Sequence, residues 1–242
     1  MKEIVSSNYS IWIGENSLSK LNVKSYSKVA ILVDENTKKD CLYKLPKLKE
    51  PIIIEIPSGE KNKNITTCSL IWEELTKNKF DRDSILINLG GGLIGDIGGF
   101  CASTYKRGID FIHIPTTLLA MADASLGGKL AVDFNNLKNQ IGLFANPKSV
   151  IIYPNFLDTL PENQLISGFA EIVKHALISD KKLWKTIKEN PFNKLAWKEI
   201  ITISAELKNR IILNDPNEKG ERKKLNFGHT FGHAIESYYL EK

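Results

Sequence analysis

A run of glycines joins an apolar strand to a helix in this chain, and it constrains the fold more than any other feature. The apolar run SILINL (84–89) leads directly into GGGLIGD (90–96), which contains the spacing GxGxxG. Glycines at such a turn let backbone N–H groups approach a pyrophosphate at a helix N-terminus, where the helix dipole favours anions. A tight strand-to-helix turn also needs glycine for steric reasons, so the pattern by itself favours a nucleotide site and a structural turn about equally.

Short β-branched runs alternate with helical patterns over the first part of the chain. Further runs that predict strands are KVAILV (28–33), PIIIEIP (51–57), IDFIHIP (109–115) and VIIYP (150–154), and residues 64–79 have the apolar spacing of a helix face. Apolar strands that alternate with helices predict βαβ units around a parallel sheet. We therefore predict an α/β nucleotide-binding domain over residues 1–157.

After Pro154 the apolar periodicity becomes helical. Pro161 precedes a helix predicted through about residue 178, and DKKLWKTIKEN, AWKEIITISAELKNRIILND and LNFGHTFGHAIESYYLEK follow with helical spacing. This part has no evident strand pattern, and no Gly/Ser-rich linker precedes it. We place a domain boundary near residue 157 and predict an α-helical domain over residues 158–242.

Composition and charge narrow the function classes. With 42% hydrophobic residues, 16 Gly and 9 Pro, the chain is neither disordered nor of low complexity. No apolar run approaches the ~18 residues of a membrane span, and scattered Cys41, Cys68 and Cys101 predict reduced thiols in a cytoplasmic protein. The net charge of +5 comes mostly from lysine, which is weak support for base recognition. We expect a small anionic substrate and neither a nucleic-acid nor a membrane partner.

Polar clusters follow the ends of several predicted strands. Asp34-Glu35-Asn36, Ser58-Gly59-Glu60-Lys61 and Thr116-Thr117 stand there, beside the glycine-rich turn. Ligands of open α/β sheets bind at this edge, although a turn or a helix cap explains each cluster taken alone. Gly127-Gly128-Lys129 and Lys138-Asn139 are predicted to lie in a loop, where a lysine can meet phosphate or carboxylate as a point charge.

Carboxylate and imidazole groups are spaced for metal binding in the helical part. Glu171 and His175 share one helix face with Lys174, and His229 and His233 stand one turn apart on another helix. Such groups on facing helices hold divalent metals such as Zn²⁺. The spacing nominates Glu171, His229 and His233 as ligands and His175 as a further candidate, with surface or capped-core pairs as the alternative.

Several long motifs occur in one order along the chain: PSGEKNK, GGGLIGDIGGFCASTYKRGIDFIHIPTTLLAMADASLGGK, LKNQIG, GFAEIVKHALI and LNFGHTFGHAIE. Together they resemble the 3-dehydroquinate synthase family of sugar phosphate cyclases, from about residue 28 to the end. The resemblance implies an NAD-binding α/β domain, a helical domain and an active site in the cleft between them. It implies conversion of 3-deoxy-D-arabino-heptulosonate 7-phosphate to 3-dehydroquinate and phosphate, a shikimate-pathway step, by a homodimer with NAD and Zn²⁺ or Co²⁺.

The resemblance also implies roles for single residues. The NAD-contacting positions are Asp34, Asn36, Ser58, Gly59, Glu60, Lys61, Asn62, Lys63, Gly92, Leu93, Ile94, Gly95, Asp96, Thr116, Thr117, Asp123, Lys129, Lys138, Phe156, Leu157, Asp158 and Thr159. The substrate-contacting or catalytic positions are Lys129, Asn139, Lys174, Lys208, Arg222, Asn226 and His233. The metal ligands are Glu171 and His229, which makes His233 a substrate or proton-relay residue and leaves His175 without a role.

The sequence departs from the family pattern at the end of the chain. The family's third metal ligand is a histidine in an HGE motif beyond GHTFGHA, and that motif is absent up to Lys242. We therefore expect a C-terminally truncated chain that binds Zn²⁺ or Co²⁺ weakly and turns over little. The alternatives are another sugar phosphate cyclase such as 2-deoxy-scyllo-inosose synthase, a metal-dependent polyol or glycerol-1-phosphate dehydrogenase that releases NADH, and an inactive NAD-binding fragment.

Overall fold

A computed structural model describes residues 1–135, 137–232 and 235. The strands are β1 (Lys2–Val5), β2 (Ser10–Ile13), β3 (Val29–Val33), β4 (Ile52–Glu55), β5 (Ile85–Gly90), β6 (Asp110–Pro115), β7 (Lys129–Phe134), β8 (Leu137–Phe144) and β9 (Ser149–Ile152). The α-helices are α1 (Glu35–Asp40), α2 (Ile65–Lys77), α3 (Gly92–Thr104), α4 (Glu162–Ser179), α5 (Lys181–Glu189) and α6 (Trp197–Asn214).

The main sheet has the strand order β1-β2-β9-β6-β5-β3-β4. Neighbouring strands in it are parallel except for the β1–β2 pair, which is antiparallel. The predicted parallel sheet is confirmed for the five strands that the sequence indicates. The sequence patterns missed β1 and β2. Strand β1 gives little signal because it lies at the edge of the sheet and most of its side chains are exposed.

The two faces of the sheet pack against different helices. Along β3, Ile31 and Val33 belong to one hydrophobic cluster, and Leu32 belongs to the other cluster, which contains residues of α2 and α3. The first cluster also contains Ile172 of α4 and Ile201 of α6. One core therefore crosses the proposed boundary near residue 157, and that boundary stays a prediction.

Residues 129–134 and 137–144 form the antiparallel pair of β7 and β8, so the prediction that Lys129 and Lys138-Asn139 lie in a loop is wrong. Leu130 is buried against α3 at Gly99, where an added Cβ would lie 2.5 Å from Leu130 Cδ2. The residues of β8 are exposed or half-buried, so this strand lacks the apolar alternation that would reveal it.

The part of the chain after Pro154 is helical where the structure describes it, as predicted. The expectation of one continuous helix over LNFGHTFGHAIESYYLEK is wrong at its start. Residues Glu221–Asn226 form a 3₁₀ helix, Gly228 has a φ of +85°, and an α-helix starts only at residue 229. In the described part of the chain, no helix combines the length and the apolar character that crossing a membrane requires.

The cysteines are free thiols inside the core. Burial raises the pKa of the Cys41 thiol to about 12 and holds the pKa of the Cys101 thiol far above its ordinary value. Both thiols therefore stay protonated at neutral pH and are poor nucleophiles.

Candidate functional site

The polar clusters predicted at the strand ends meet at one edge of the sheet. The neighbours β4, β3, β5 and β6 run parallel, so Ser58, Asp34, Gly91 and Thr116 follow strands that end at the same edge. Asp34 is also the N-cap of α1, as the alternative interpretation of this cluster predicts, and its side chain accepts a hydrogen bond from Thr37 N at 2.8 Å. This edge is where α/β sheets bind ligands.

The N-terminus of α3 lies open at this edge. Helix α3 begins at Gly92 with no side-chain cap and no acidic residue in its first turn. An added Cβ at Gly92 or Gly95 would meet nothing closer than 3.6 Å, whereas at Gly98 it would lie 2.0 Å from Asn88 Oδ1. Packing within the chain explains the glycine at 98 but not those at 92 and 95, which leave room for a ligand beside the free N–H groups.

A buried lysine connects the sheet edge, α3 and the hairpin. Lys63 Nζ lies 2.5 Å from Asp96 Oδ2 and donates a hydrogen bond to Asn139 Oδ1 at 2.7 Å. Burial raises the pKa of Asp96 to about 6, against the opposing effect of the Lys63 ammonium. Ser58 Oγ, which follows β4, donates a hydrogen bond to Glu35 Oε1 at the start of α1 at 2.5 Å.

The remaining predicted cofactor positions differ in exposure. Phe156 and Leu157 are buried in the core, so their side chains serve packing, while Asp158 and Thr159 beside them are exposed. Ile94 is buried beneath the glycine-rich turn. The exposed or half-buried positions are Asn36, Gly59, Glu60, Lys61, Asn62, Leu93, Thr117 and Lys138.

A cleft of about 650 Å³ separates the hairpin from the helical part. Its lining contains the predicted substrate residues that the structure describes: Lys129, Asn139, Lys174, Lys208, Arg222 and Asn226. It also contains Asp96, Asp123, Glu218 and His229. The prediction for His233 lies outside the described residues. Residues far apart in sequence thus meet in one cavity, as the resemblance implies.

Two buried lysines meet one carboxylate inside the cleft. Lys208 Nζ lies 2.9 Å from Asp123 Oδ1 and donates to the backbone oxygen of Asp123 at 2.6 Å. Lys174 Nζ lies 4.0 Å from the same Oδ1 and forms an ion pair with Glu171. Burial alone would raise the pKa of Asp123, but Lys208 and the other cationic neighbours hold it well below its ordinary value. Asp123 is therefore an anion in the folded chain.

Arg222 is fixed by backbone carbonyls on two sides. One terminal nitrogen donates to Pro216 O at 2.7 Å and the other to Gly127 O at 2.9 Å. Gly127 has a φ of +96°, and an added Cβ there would lie 2.6 Å from the Arg222 guanidinium. The glycine therefore shapes the pocket that holds the guanidinium.

Sequence reasoning missed Glu218. It forms an ion pair with Lys129, and its Oε1 accepts a hydrogen bond from Asn226 Nδ2 at 2.8 Å. The signal was hidden because NDPNEKGE (214–221) predicts only a turn, and nothing local shows that its glutamate points into the cleft.

Glu171 is the centre of a possible metal site. His229 Nε2 lies 3.8 Å from Glu171 Oε1, and donor atoms of Asp123, Glu171 and His175 lie within 4.8 Å of one another. Carboxylate oxygen and imidazole nitrogen suit Zn²⁺ or Co²⁺. The predicted ligands Glu171 and His229 are thus brought together, and His175, to which the resemblance gives no role, has a donor atom within 4.8 Å of one of Glu171.

The fold and the cleft define an α/β protein of the sugar phosphate cyclase class. A structure of 2-deoxy-scyllo-inosose synthase, complexed with carbaglucose-6-phosphate, NAD⁺ and Co²⁺, aligns with a TM-score of 0.86 at 28% identity. The alignment covers 98% of this chain and 70% of that one. Family models described as 3-dehydroquinate synthase N-terminal and C-terminal match residues 53–167 and 168–242. The chain belongs to the 3-dehydroquinate synthase family.

Curated relatives agree with this assignment. The 3-dehydroquinate synthase of Parabacteroides distasonis is 41% identical over 223 residues, and that of Campylobacter concisus is 45% identical over 235 residues. These alignments cover 90% and 96% of this chain. The chain spans 63% of the length of the first relative and 67% of the second.

Proposed function

We propose that this chain carries out the 3-dehydroquinate synthase reaction, in which 3-deoxy-D-arabino-heptulosonate 7-phosphate gives 3-dehydroquinate and phosphate. The observation that carries the proposal is the convergence of Lys129, Lys174, Lys208 and Arg222 on one cleft beside Glu171. A sugar phosphate with a carboxylate presents two anionic ends, and these cations can meet both.

The cations of the cleft have acidic partners that a substrate can replace. Lys129 pairs with Glu218 and Lys174 pairs with Glu171, so each ammonium group is neutralised without the substrate. A substrate phosphate or carboxylate can pair with such an ammonium group in place of the glutamate. The glutamate is then free to accept a proton or a hydrogen bond from a hydroxyl group. Holding a flexible sugar chain at both ends also favours the productive ring closure.

The residues present fit NAD and a divalent metal. The open turn at Gly92 and Gly95 accepts a pyrophosphate, and Glu171 with His229 would hold the metal. When bound, NAD supplies a reversible hydride acceptor and the metal polarises a substrate hydroxyl. The related 2-deoxy-scyllo-inosose synthase structure contains NAD⁺ and Co²⁺. Relatives at 41% and 45% identity favour the dehydroquinate reaction over the inosose reaction, whose enzyme is 28% identical.

Phosphate release by the 242-residue chain tests the proposal, with NAD and Co²⁺ present. We expect slow release that requires NAD, at least about tenfold slower for Glu171→Ala, because the variant lacks the carboxylate proposed to hold the metal. Glu162→Ala is the matched control, because Glu162 lies exposed at the start of the same helix. The absorption spectrum of bound Co²⁺ should differ from that of the wild type in Glu171→Ala and should be unchanged in Glu162→Ala. Release independent of NAD, or equal in both variants, would contradict the proposal.

A further inference from the structure

Three side chains from separate elements form a row that runs from the buried interior to Asp123 in the lining of the cleft. His175 of α4 lies with Nδ1 2.6 Å from Ser204 Oγ of α6 and with Nε2 3.3 Å from Asp123 Oδ1. Asp123 belongs to a π-helical turn over Ala120–Ala124. His175 and Ser204 are fully buried, so bulk water does not satisfy these polar atoms.

The chemistry of the neighbours determines which nitrogen of His175 carries a proton. A carboxylate only accepts hydrogen bonds, so the nitrogen that faces Asp123 must be the N–H donor. In the neutral imidazole Nδ1 is then an acceptor, and the Ser204 hydroxyl donates to it. Nδ1 is hydrogen-bonded to Ser204, whereas Nε2 lies 3.3 Å from Asp123 Oδ1 without a well-formed hydrogen bond. The opposite tautomer would leave a lone pair facing the carboxylate.

We propose that Ser204 and His175 are positioning residues that hold the Asp123 carboxylate at its place beside Lys208 in the cleft. The inference rests on the proposed function and deepens it, because Asp123 lies where the resemblance puts cofactor and substrate. Asp123 is carried by a single short turn, and its other partners are two flexible lysine side chains. His175 is a rigid group that prevents the carboxylate from turning toward Lys174.

Asp123 and His175 also belong, with Glu171, to the possible metal site, but they do not have to be metal ligands. Asp123 Oδ1 already lies 2.9 Å from the Lys208 ammonium and 4.0 Å from that of Lys174. A divalent cation bound by Asp123 and His175 would face both ammonium groups at short range. Glu171 with His229 offers the metal a site that uses neither Asp123 nor His175, so the row from Ser204 to Asp123 is free to act in positioning.

The tautomer of His175 tests the proposal without any activity measurement. In the full chain labelled with ¹⁵N-histidine, long-range ¹H–¹⁵N NMR gives the protonation of both ring nitrogens, and the signals lost in His175→Gln assign His175. We expect a neutral ring protonated at Nε2, with the Nδ1 signal shifted by Ser204→Ala and the Nε2 signal shifted by Asp123→Asn. A ring protonated at Nδ1 alone, signals unmoved by both variants, or direct coordination shifts on adding Co²⁺ would overturn the proposal.

Two variants at position 175 separate positioning from packing. In His175→Gln the side-chain amide nitrogen can occupy the place of Nε2 and still donate to Asp123, whereas in His175→Asn the shorter amide reaches only Ser204. We expect similar melting temperatures but a kcat/KM for phosphate release at least about tenfold lower in the Asn variant than in the Gln variant. Equal kcat/KM values would overturn positioning.

The NMR experiment and the phosphate-release measurement together separate this inference from the proposed function. If the wild-type chain releases no phosphate with NAD and Co²⁺, the proposed function fails, and the NMR result still decides whether the row from Ser204 to Asp123 exists. If the wild-type chain is active and the NMR signals are unmoved, the proposed function stands and the positioning role is overturned.

Discussion

At the level of single residues, the cleft depends on Arg222, whose two hydrogen bonds a lysine cannot reproduce. Arg222 is buried and donates from two nitrogens to the carbonyls of Pro216 and Gly127. A lysine at this position has one ammonium on a flexible stem and cannot reach both carbonyls in the same geometry. The guanidinium therefore joins the turn before β7 to the segment after α6.

Arg222→Lys is expected to lower the free energy of unfolding by about 2 kcal/mol, because a buried carbonyl loses a charged donor. The matched control is Arg210→Lys, at an exposed position of α6, where we expect a change within about 0.5 kcal/mol. Urea unfolding of both variants measures the difference. Equal stability of the two variants would contradict the role given to the fork of Arg222.

The buried carboxyl of Asp96 predicts a dependence of stability on pH. Its pKa is raised from 3.8 to about 6, so in this interval the folded chain holds a proton that the unfolded chain has lost. The contribution of Asp96 to stability is thus full below pH 3.8 and is lost as the pH rises through about 6.

Asp96→Asn cannot titrate and isolates this contribution. We expect the free energy of unfolding of the wild type, minus that of the variant, to fall by about 3 kcal/mol as the pH rises through this interval. Urea unfolding of both proteins across the interval measures it. A difference that stays constant with pH, or that rises, would show that burial does not raise this pKa.

At the scale of elements, α3 has glycines of two kinds. Gly98 lies against Asn88 and Leu32 with no room for a methyl group, whereas at Gly95 a methyl group would be in ordinary contact with His113, 3.8 Å away. The first kind allows the helix to pack closely on the sheet, and the second kind leaves a surface that a ligand can approach.

The two kinds of glycine respond differently to alanine. Gly98→Ala should lower the free energy of unfolding by about 2 kcal/mol through overpacking. Gly95→Ala should keep or raise it by up to about 1 kcal/mol, but weaken NAD binding at least about tenfold. Urea unfolding and calorimetric titration with NAD measure the two effects. Unchanged NAD affinity in Gly95→Ala would contradict the pyrophosphate position.

The elements also show what the sequence can predict. Strand β3 is a continuous apolar run and β5 is apolar except for Asn88, because both of their faces are buried, so their burial is visible in the sequence. Strand β8 has little buried surface, and its conformation is set by pairing with β7 and by the packing of Leu130 on α3. The parallel order of the strands likewise predicts that their polar ends meet at one edge, which the structure confirms.

At the scale of the whole molecule, the cleft is made by packing that brings distant segments together. The sequence predicts Lys129 and Arg222 as site residues through the family resemblance, but local pattern does not reveal that Glu218 faces Lys129. The contact of Ser204 with His175 likewise depends on how α6 packs against α4. Residue types and spacing predict the chemistry of the site, and tertiary packing decides which groups meet.

In the proposed reaction, NAD assists phosphate elimination in this cleft and is restored in each turnover. Following phosphate and NADH together, in one mixture of the chain, 3-deoxy-D-arabino-heptulosonate 7-phosphate, NAD and Co²⁺, tests it most directly. We expect NAD-dependent phosphate release without net accumulation of NADH. NADH that accumulates in proportion to substrate consumed would identify a dehydrogenase instead, and the absence of phosphate release would contradict the proposed reaction.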